Sequence, residues 1–121
     1  MSKETMEDYV TSAREGKYLD LIQRLYADDA VSVEAVEMPG APRTVEGKDA
    51  IIGKSQWFES NFRVDRQELR GPWPHGEDMF AVHMSFDMTH LESGEQSSLD
   101  EIIVLTMREG KIVKEEFFYA K

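Results

Sequence analysis

Residues 27–38 read ADDAVSVEAVEM and place two glutamates, Glu34 and Glu37, in a run of small and β-branched residues that reads as a strand. Strand side chains alternate between faces. Val31, Val33, Ala35 and Glu37 therefore share one face, and Ser32, Glu34, Val36 and Met38 share the other. Each face carries one carboxylate, and alternation alone does not choose which points inward. The chemistry of an inward carboxylate is proton transfer, because desolvation in an apolar pocket raises a carboxyl pKa and makes the anion a stronger base. Where several acids crowd one pocket, one keeps its proton and donates a hydrogen bond while another acts as base.

The elements that must position such groups follow from periodicity. Met6, Tyr9, Val10 and Ala13 recur at helical spacing and predict a helix over residues 3–15, stopped at Gly16. Tyr18, Leu21, Ile22, Leu25 and Tyr26 form a second helical stripe, and ADDA breaks its period before the strand begins. MPGAP reads as a turn and RTVE as a short extended piece pairing back on that strand. A third helix is expected over residues 49–61, with a stripe of Ile51, Ser55, Phe58 and Phe62 flanked by Lys54 and Trp57. RVDRQELRG reads as extended and PWPHGED as a turn. MFAVHMSFDMTH alternates, with Phe80, Val82, Met84, Phe86 and Met88 on one face. LESGEQSS reads as a loop. LDEIIVLTMR is apolar enough to imply that both its faces are covered. EGK makes a hairpin turn into IVKEEFFYA. This order predicts an α+β class, one domain over residues 1–121, with helices against a curved antiparallel sheet and the third helix across its concave face.

Composition bounds the function. A chain of 121 residues is the size of one domain. It has no cysteine, which excludes disulfides and thiolate chemistry and fits a reducing compartment. MSKETMEDYV does not read as a signal peptide, and no apolar run approaches the ~20 residues of a membrane span. A cytoplasmic protein is expected. The net charge of −10 opposes binding to nucleic acid and to anionic membranes. His83 and Asp87 share a face but stand about 13 Å apart along a strand, and neither a metal motif nor a phosphate loop is present, so no metal or cofactor is expected.

AREGKYLDLIQRLYADDAVSVE, GKDAI, HGEDMFAVHMSFDMT and REGKIVKEEFFY, in this order, resemble the SnoaL-like group of the nuclear transport factor 2-like superfamily, which includes polyketide cyclases and ketosteroid isomerase. The resemblance covers nearly the whole chain. It implies a cone-shaped sheet with the three helices enclosing a pocket, and a homodimer paired through the outer sheet face. In ketosteroid isomerase an aspartate is the base, and a tyrosine and a protonated aspartate hold the oxyanion. The resemblance carries the tyrosine to Tyr9 and the base to Glu34, sending Glu37 outward. The protonated aspartate falls at Ile103, which cannot serve. Glu101 lies two residues earlier on the same face, and Glu115 faces the pocket with Val113, Phe117 and Tyr119.

The expected catalytic set is thus Glu34, Tyr9, Glu101 and Glu115. The expected ligand-binding walls are Tyr26, Trp57, Phe58, Val82, Met84, Phe86 and Phe117, with Ser55, Tyr119 and Lys54 as further polar groups. The expected ligand is a small apolar carbonyl compound, handled by a cofactor-free isomerase, cyclase or lyase. Two alternatives stand beside it. One is a non-catalytic ligand-binding or dimerisation module. The other is an epoxide-hydrolase-like enzyme, which needs Arg63 or Arg66 to face inward.

Overall fold

The computed structural model describes residues 2–37 and 42–120. The expected MPGAP turn lies outside them except for Pro42. In chain order the elements are α1 (Ser2–Arg14), α2 (Tyr18–Leu25), β1 (Tyr26–Val33), β2 (Thr44–Glu46), α3 (Lys48–Asn61), β3 (Phe62–His75), β4 (Met79–His90), β5 (Gln96–Arg108) and β6 (Lys111–Phe118). The strands form one curved six-stranded sheet in the order β2-β1-β6-β5-β4-β3. The class is α+β, with the nuclear transport factor 2-like, ketosteroid isomerase-like fold.

The sheet departs from an all-antiparallel one. β1 and β6 pair in parallel, with Ser32 beside Glu115. They are not neighbours in sequence, so no hairpin dictates their direction; the rest of the fold lies between them. β3, β4, β5 and β6 follow the antiparallel hairpin order. The β5–β6 turn is two residues, Glu109 and Gly110, both at positive φ (53° and 76°), the conformation that matches the twist of the flanking strands.

Three local expectations change. Tyr26, placed in the second helical stripe, opens β1 instead. PWPH continues β3 rather than turning. Its prolines are tolerated because β3 is an edge strand, where a missing N–H breaks no ladder on the open side. β3 also changes register between Val64 and Arg66 and between Arg70 and Trp73, irregularities that bend a sheet. Gly71 sits at the second, at φ +126°, where an added Cβ would lie 3.1 Å from the Ala81 carbonyl oxygen. β5 starts at Gln96, inside the segment read as a loop.

The core lies between the concave face and the helices. β4 contributes Phe80, Val82, Met84 and Phe86, and β5 contributes Ile103, Leu105 and Met107, all buried. α1 lies over this face. Thr5 Oγ1 donates to the Gly110 carbonyl (2.7 Å) at one end, and Arg14 donates to the Leu69 carbonyl (3.1 Å) at the other. Tyr9, between them, packs edge-on against Phe80 with ring centroids 5.6 Å apart. α3 spans from β1 to β4. Its N-terminal Gly47 N–H donates to the Ala30 carbonyl (2.7 Å), and Phe58 meets Phe86 at 6.4 Å. The outer face of β5 is not covered in the single chain: Ile102 is 38% exposed.

Candidate functional site

Three carboxylates, one ammonium and four tyrosines meet on the concave face. Ile51, Lys54, Ser55 and Phe58 fall at i, i+3, i+4 and i+7, one side of α3. Ile51 is buried and anchors that side to the core. Lys54 is thereby turned toward the sheet. Its Nζ donates to Ser32 Oγ (2.8 Å), stands 3.4 Å from Glu34 Oε2, and lies 4.8 Å from the centre of the Phe117 ring. Ser32 is fully buried and passes the interaction on, donating to Glu115 Oε2 at 2.6 Å. Glu115 Oε1 accepts from the Tyr26 hydroxyl. Tyr26 in turn meets the hydroxyl of Tyr9. A directed chain therefore runs from Lys54 through Ser32 to Glu115, with Tyr26 donating from the far side.

The three acids differ in their surroundings. Glu115 is buried, which pushes its carboxyl up, while Ser32, Tyr26 and Lys54 pull it back. Both its oxygens accept hydrogen bonds, the arrangement a carboxylate needs. Glu101 is 8% exposed, and among the described residues no donor reaches its carboxyl. Burial, then the neighbouring Glu34 and Glu115, push it up to about 8 against a partial pull from Lys54. It is therefore mostly protonated at neutral pH. Glu34 Oε2 is buried without a hydrogen bond, and the Lys54 ammonium is its close partner. The backbone of Glu34 is pinned to Arg43 by two bonds, N–H to the Arg43 carbonyl (2.8 Å) and Arg43 Nε to the Glu34 carbonyl (2.9 Å). Tyr18 donates to Met84 Sδ (3.6 Å), and its hydroxyl is held neutral by burial and by Glu101 and Glu115. Tyr119 is pushed up to about 12 by burial, Glu34 and Glu101.

A cleft of about 360 Å³ opens where β1 and β6 end, within the size range of small-ligand sites. Glu34, Phe117 and Tyr119 line it, with Val33 and Arg43. Of the other expected wall residues, Val82, Met84 and Phe86 are buried in the core, and Phe58 packs against Phe86 and stacks on Phe62 (5.1 Å). Ser55 is half-buried on α3. Trp57, expected in the wall, is 55% exposed and lies beside Phe62, because one helical step carries it off the inward side. Tyr26 is not merely apolar wall, since its hydroxyl binds Glu115. Tyr9 is buried and near Glu101 and Glu115, not a neighbour of Glu34. Glu37 is exposed. Arg63 and Arg66 face outward, paired with Asp65 (2.7 Å) and Asp87 (2.9 Å), so neither is the inward arginine expected for the epoxide-hydrolase-like alternative. Ser32 was not anticipated, although strand alternation had placed it on the Glu34 face.

The SnoaL-like domain family model matches residues 1–119. The chain belongs to the SnoaL-like family. This SnoaL-like protein is similar to a proposed SnoaL-like polyketide cyclase, also labelled carbohydrate phosphatase, from Mesorhizobium loti. The two share 34% identity over 98% of this chain and 99% of that one, with a TM-score of 0.90. A proposed isomerase from Bacillus subtilis is 18% identical, with a TM-score of 0.78 over 98% of this chain and 86% of that one. A ketosteroid isomerase-like fold protein from Catenulispora acidiphila, solved with trimethylamine, is 16% identical, with a TM-score of 0.67 over 84% and 74% of the two chains. These last two likenesses concern the fold. No curated protein sequence matches the chain. Among the described residues, no helix is long and apolar enough to cross a membrane.

The Glu101 environment has a consequence for stability. Its folded pKa of about 8 lies above the ordinary 4.5. Below 4.5 both the folded and unfolded states hold the proton, and the group is neutral toward folding. As pH rises toward 8 the unfolded state gives up the proton while the folded state keeps it, so stability falls. Glu101→Gln removes that loss. Urea unfolding should show the variant equal to wild type near pH 4 and more stable by roughly 4 kcal/mol near pH 8. A difference that does not grow with pH would contradict the assignment.

Proposed function

We propose that this SnoaL-like protein binds a small apolar carbonyl compound in the cleft and enolises it by proton transfer, as a cofactor-free isomerase, cyclase or lyase. Glu34 takes the proton from the carbon beside the carbonyl. Glu101, holding its own proton, donates a hydrogen bond to the carbonyl oxygen as negative charge develops there. Glu115 and Tyr9 stand behind this pair, with Tyr26 donating to Glu115. Phe117 and Tyr119 supply the apolar contact and exclude water. The observation that carries this reading is Glu101, a buried acid that accepts no hydrogen bond among the described residues and is pushed up to about 8, beside a Glu34 paired with Lys54. Of the expected catalytic set Glu34 lines the cleft and Tyr9, Glu101 and Glu115 are not among its lining residues, so a non-catalytic binding module stands as the second reading. The Mesorhizobium loti likeness, named for a cyclase, supports the same class of chemistry.

The probe is 2-tetralone, an apolar ketone whose α-protons exchange with deuterated water. Proton NMR should show exchange accelerated by the wild-type protein over buffer at the same pH. Glu34→Gln should keep its melting behaviour and lose about a hundredfold of that acceleration, the scale of a general base. Glu37→Gln should change neither. Wild-type exchange no faster than buffer, or full activity in Glu34→Gln, would leave the reading without a base.

We also propose a homodimer paired through the outer face of the sheet. Ile102 and Phe118 are cross-strand partners there, 38% and 52% exposed, on a strand pair whose apolar residues the single chain leaves open. Light scattering at micromolar concentration should give about twice 13.9 kDa, and Ile102→Lys should shift it to the single-chain mass. A wild-type protein at the single-chain mass would contradict the pairing.

A further inference from the structure

We infer that Lys54 is a further catalytic residue of this site: its ammonium receives the enolate oxygen, and Ser32 and Glu115 are the positioning residues that aim it. The inference rests on the enolisation reading above.

The geometry explains why the donor is Lys54 rather than the tyrosine that the family resemblance selects. The Tyr9 side chain is buried beside Tyr26 and does not line the cleft. Glu115 has both oxygens engaged, by Tyr26 and by Ser32. Lys54 has three N–H groups. One is fixed by Ser32, and the ion pair with Glu34 takes a second direction. The third is left for a ligand. The Phe117 ring holds the ammonium electrostatically without consuming a donor. Ser32 donates to Glu115, so the lone pairs of Ser32 turn toward Lys54. Glu115 thus sets the direction of the chain, although it lies one residue too deep to touch a ligand held by Lys54.

The charge balance gives this placement its effect. Before reaction the ammonium pairs with the Glu34 carboxylate. The α C–H bond breaks, the proton goes to a Glu34 oxygen, and the electron pair moves onto the carbonyl oxygen. One negative charge leaves Glu34 and one arrives on the substrate. Lys54 stands beside Glu34, which lines the cleft, so in the proposed reaction its ion pair follows the charge. No net charge is created in a half-buried site, where an unpaired charge is costly. The favoured substrates are carbonyl compounds whose enolate oxygen lies on the same edge as the abstracted proton, 1,3-dicarbonyls among them.

The test uses 2-naphthol, an aromatic enolate mimic whose absorbance separates the neutral and ionised forms. Bound to wild type, it should ionise about one pH unit lower than in buffer, tenfold in its ionisation constant. Lys54→Met should abolish that shift and Lys54→Arg should keep part of it. Ser32→Ala should reduce the shift and Ser32→Thr restore it, a rescue that a packing role would not produce. Should Lys54→Met fail to fold, the Lys54→Arg and serine variants carry the same comparison. No binding of naphthol, or equal ionisation in wild type and the lysine variants, would overturn the role of Lys54. The two readings fail separately. Intact 2-tetralone exchange with equal naphthol ionisation removes Lys54 alone, while a lysine-dependent naphthol shift without exchange removes the base and leaves the anion seat.

Discussion

Three carboxyl groups share one ammonium inside this fold, and the rest of the site follows from that shortage. Lys54 can neutralise one neighbour directly and a second through Ser32. The third, Glu101, has no hydrogen-bond donor among the described residues and only a partial pull from Lys54, and burial, then repulsion from Glu34 and Glu115, pushes it up. Keeping a proton is its inexpensive solution. A single cation therefore sorts three identical side chains into different roles: an ion-paired carboxylate at the cleft, a doubly hydrogen-bonded carboxylate beneath it, and a neutral acid. Moving Lys54 would disturb all three.

The fold creates the shortage by register. Parallel pairing sets Ser32 beside Glu115, and antiparallel pairing sets Leu105 on the other side of Glu115 and Met84 beside Glu101. Glu101 and Glu115 are thus flanked within the sheet by apolar residues and a single serine. α3 brings the cation from outside the sheet, held at one end by Ile51 in the core and at the other by Phe58 on Phe86. Buried ion clusters of this kind contribute little to stability, because desolvation offsets the attraction. Their presence in so small a core is a reason to read them as functional.

Much of this arrangement is legible in the sequence. The helical stripes locate three helices, and alternation in MFAVHMSFDMTH places the inward face of β4 as observed, with Phe80, Val82, Met84 and Phe86 buried. Glu34, Glu101 and Glu115 can be gathered by aligning the chain with a known fold, and Glu37 left outside. What is not legible depends on contacts across the sheet. A serine in a strand reads as an ordinary polar residue until its neighbour is a buried glutamate. Tyr26 reads as a helical apolar position until the chain turns into β1 and its hydroxyl meets β6. Pro72 and Pro74 argue against a strand unless β3 is known to be an edge. Trp57 and Lys54 both flank the expected stripe of α3. Only the packing of the helix tells which one turns inward, and it is the lysine.

The central claim is that the site holds one neutral carboxylic acid at physiological pH because the Lys54 ammonium is directed at Glu34 and Ser32 rather than at Glu101. Carbon NMR of protein labelled at the glutamate side-chain carboxyl, titrated from pH 3 to 10, reads this directly. The account predicts a resonance titrating near 8 that is lost in Glu101→Gln. A spectrum in which every glutamate has ionised by about pH 6 would contradict it.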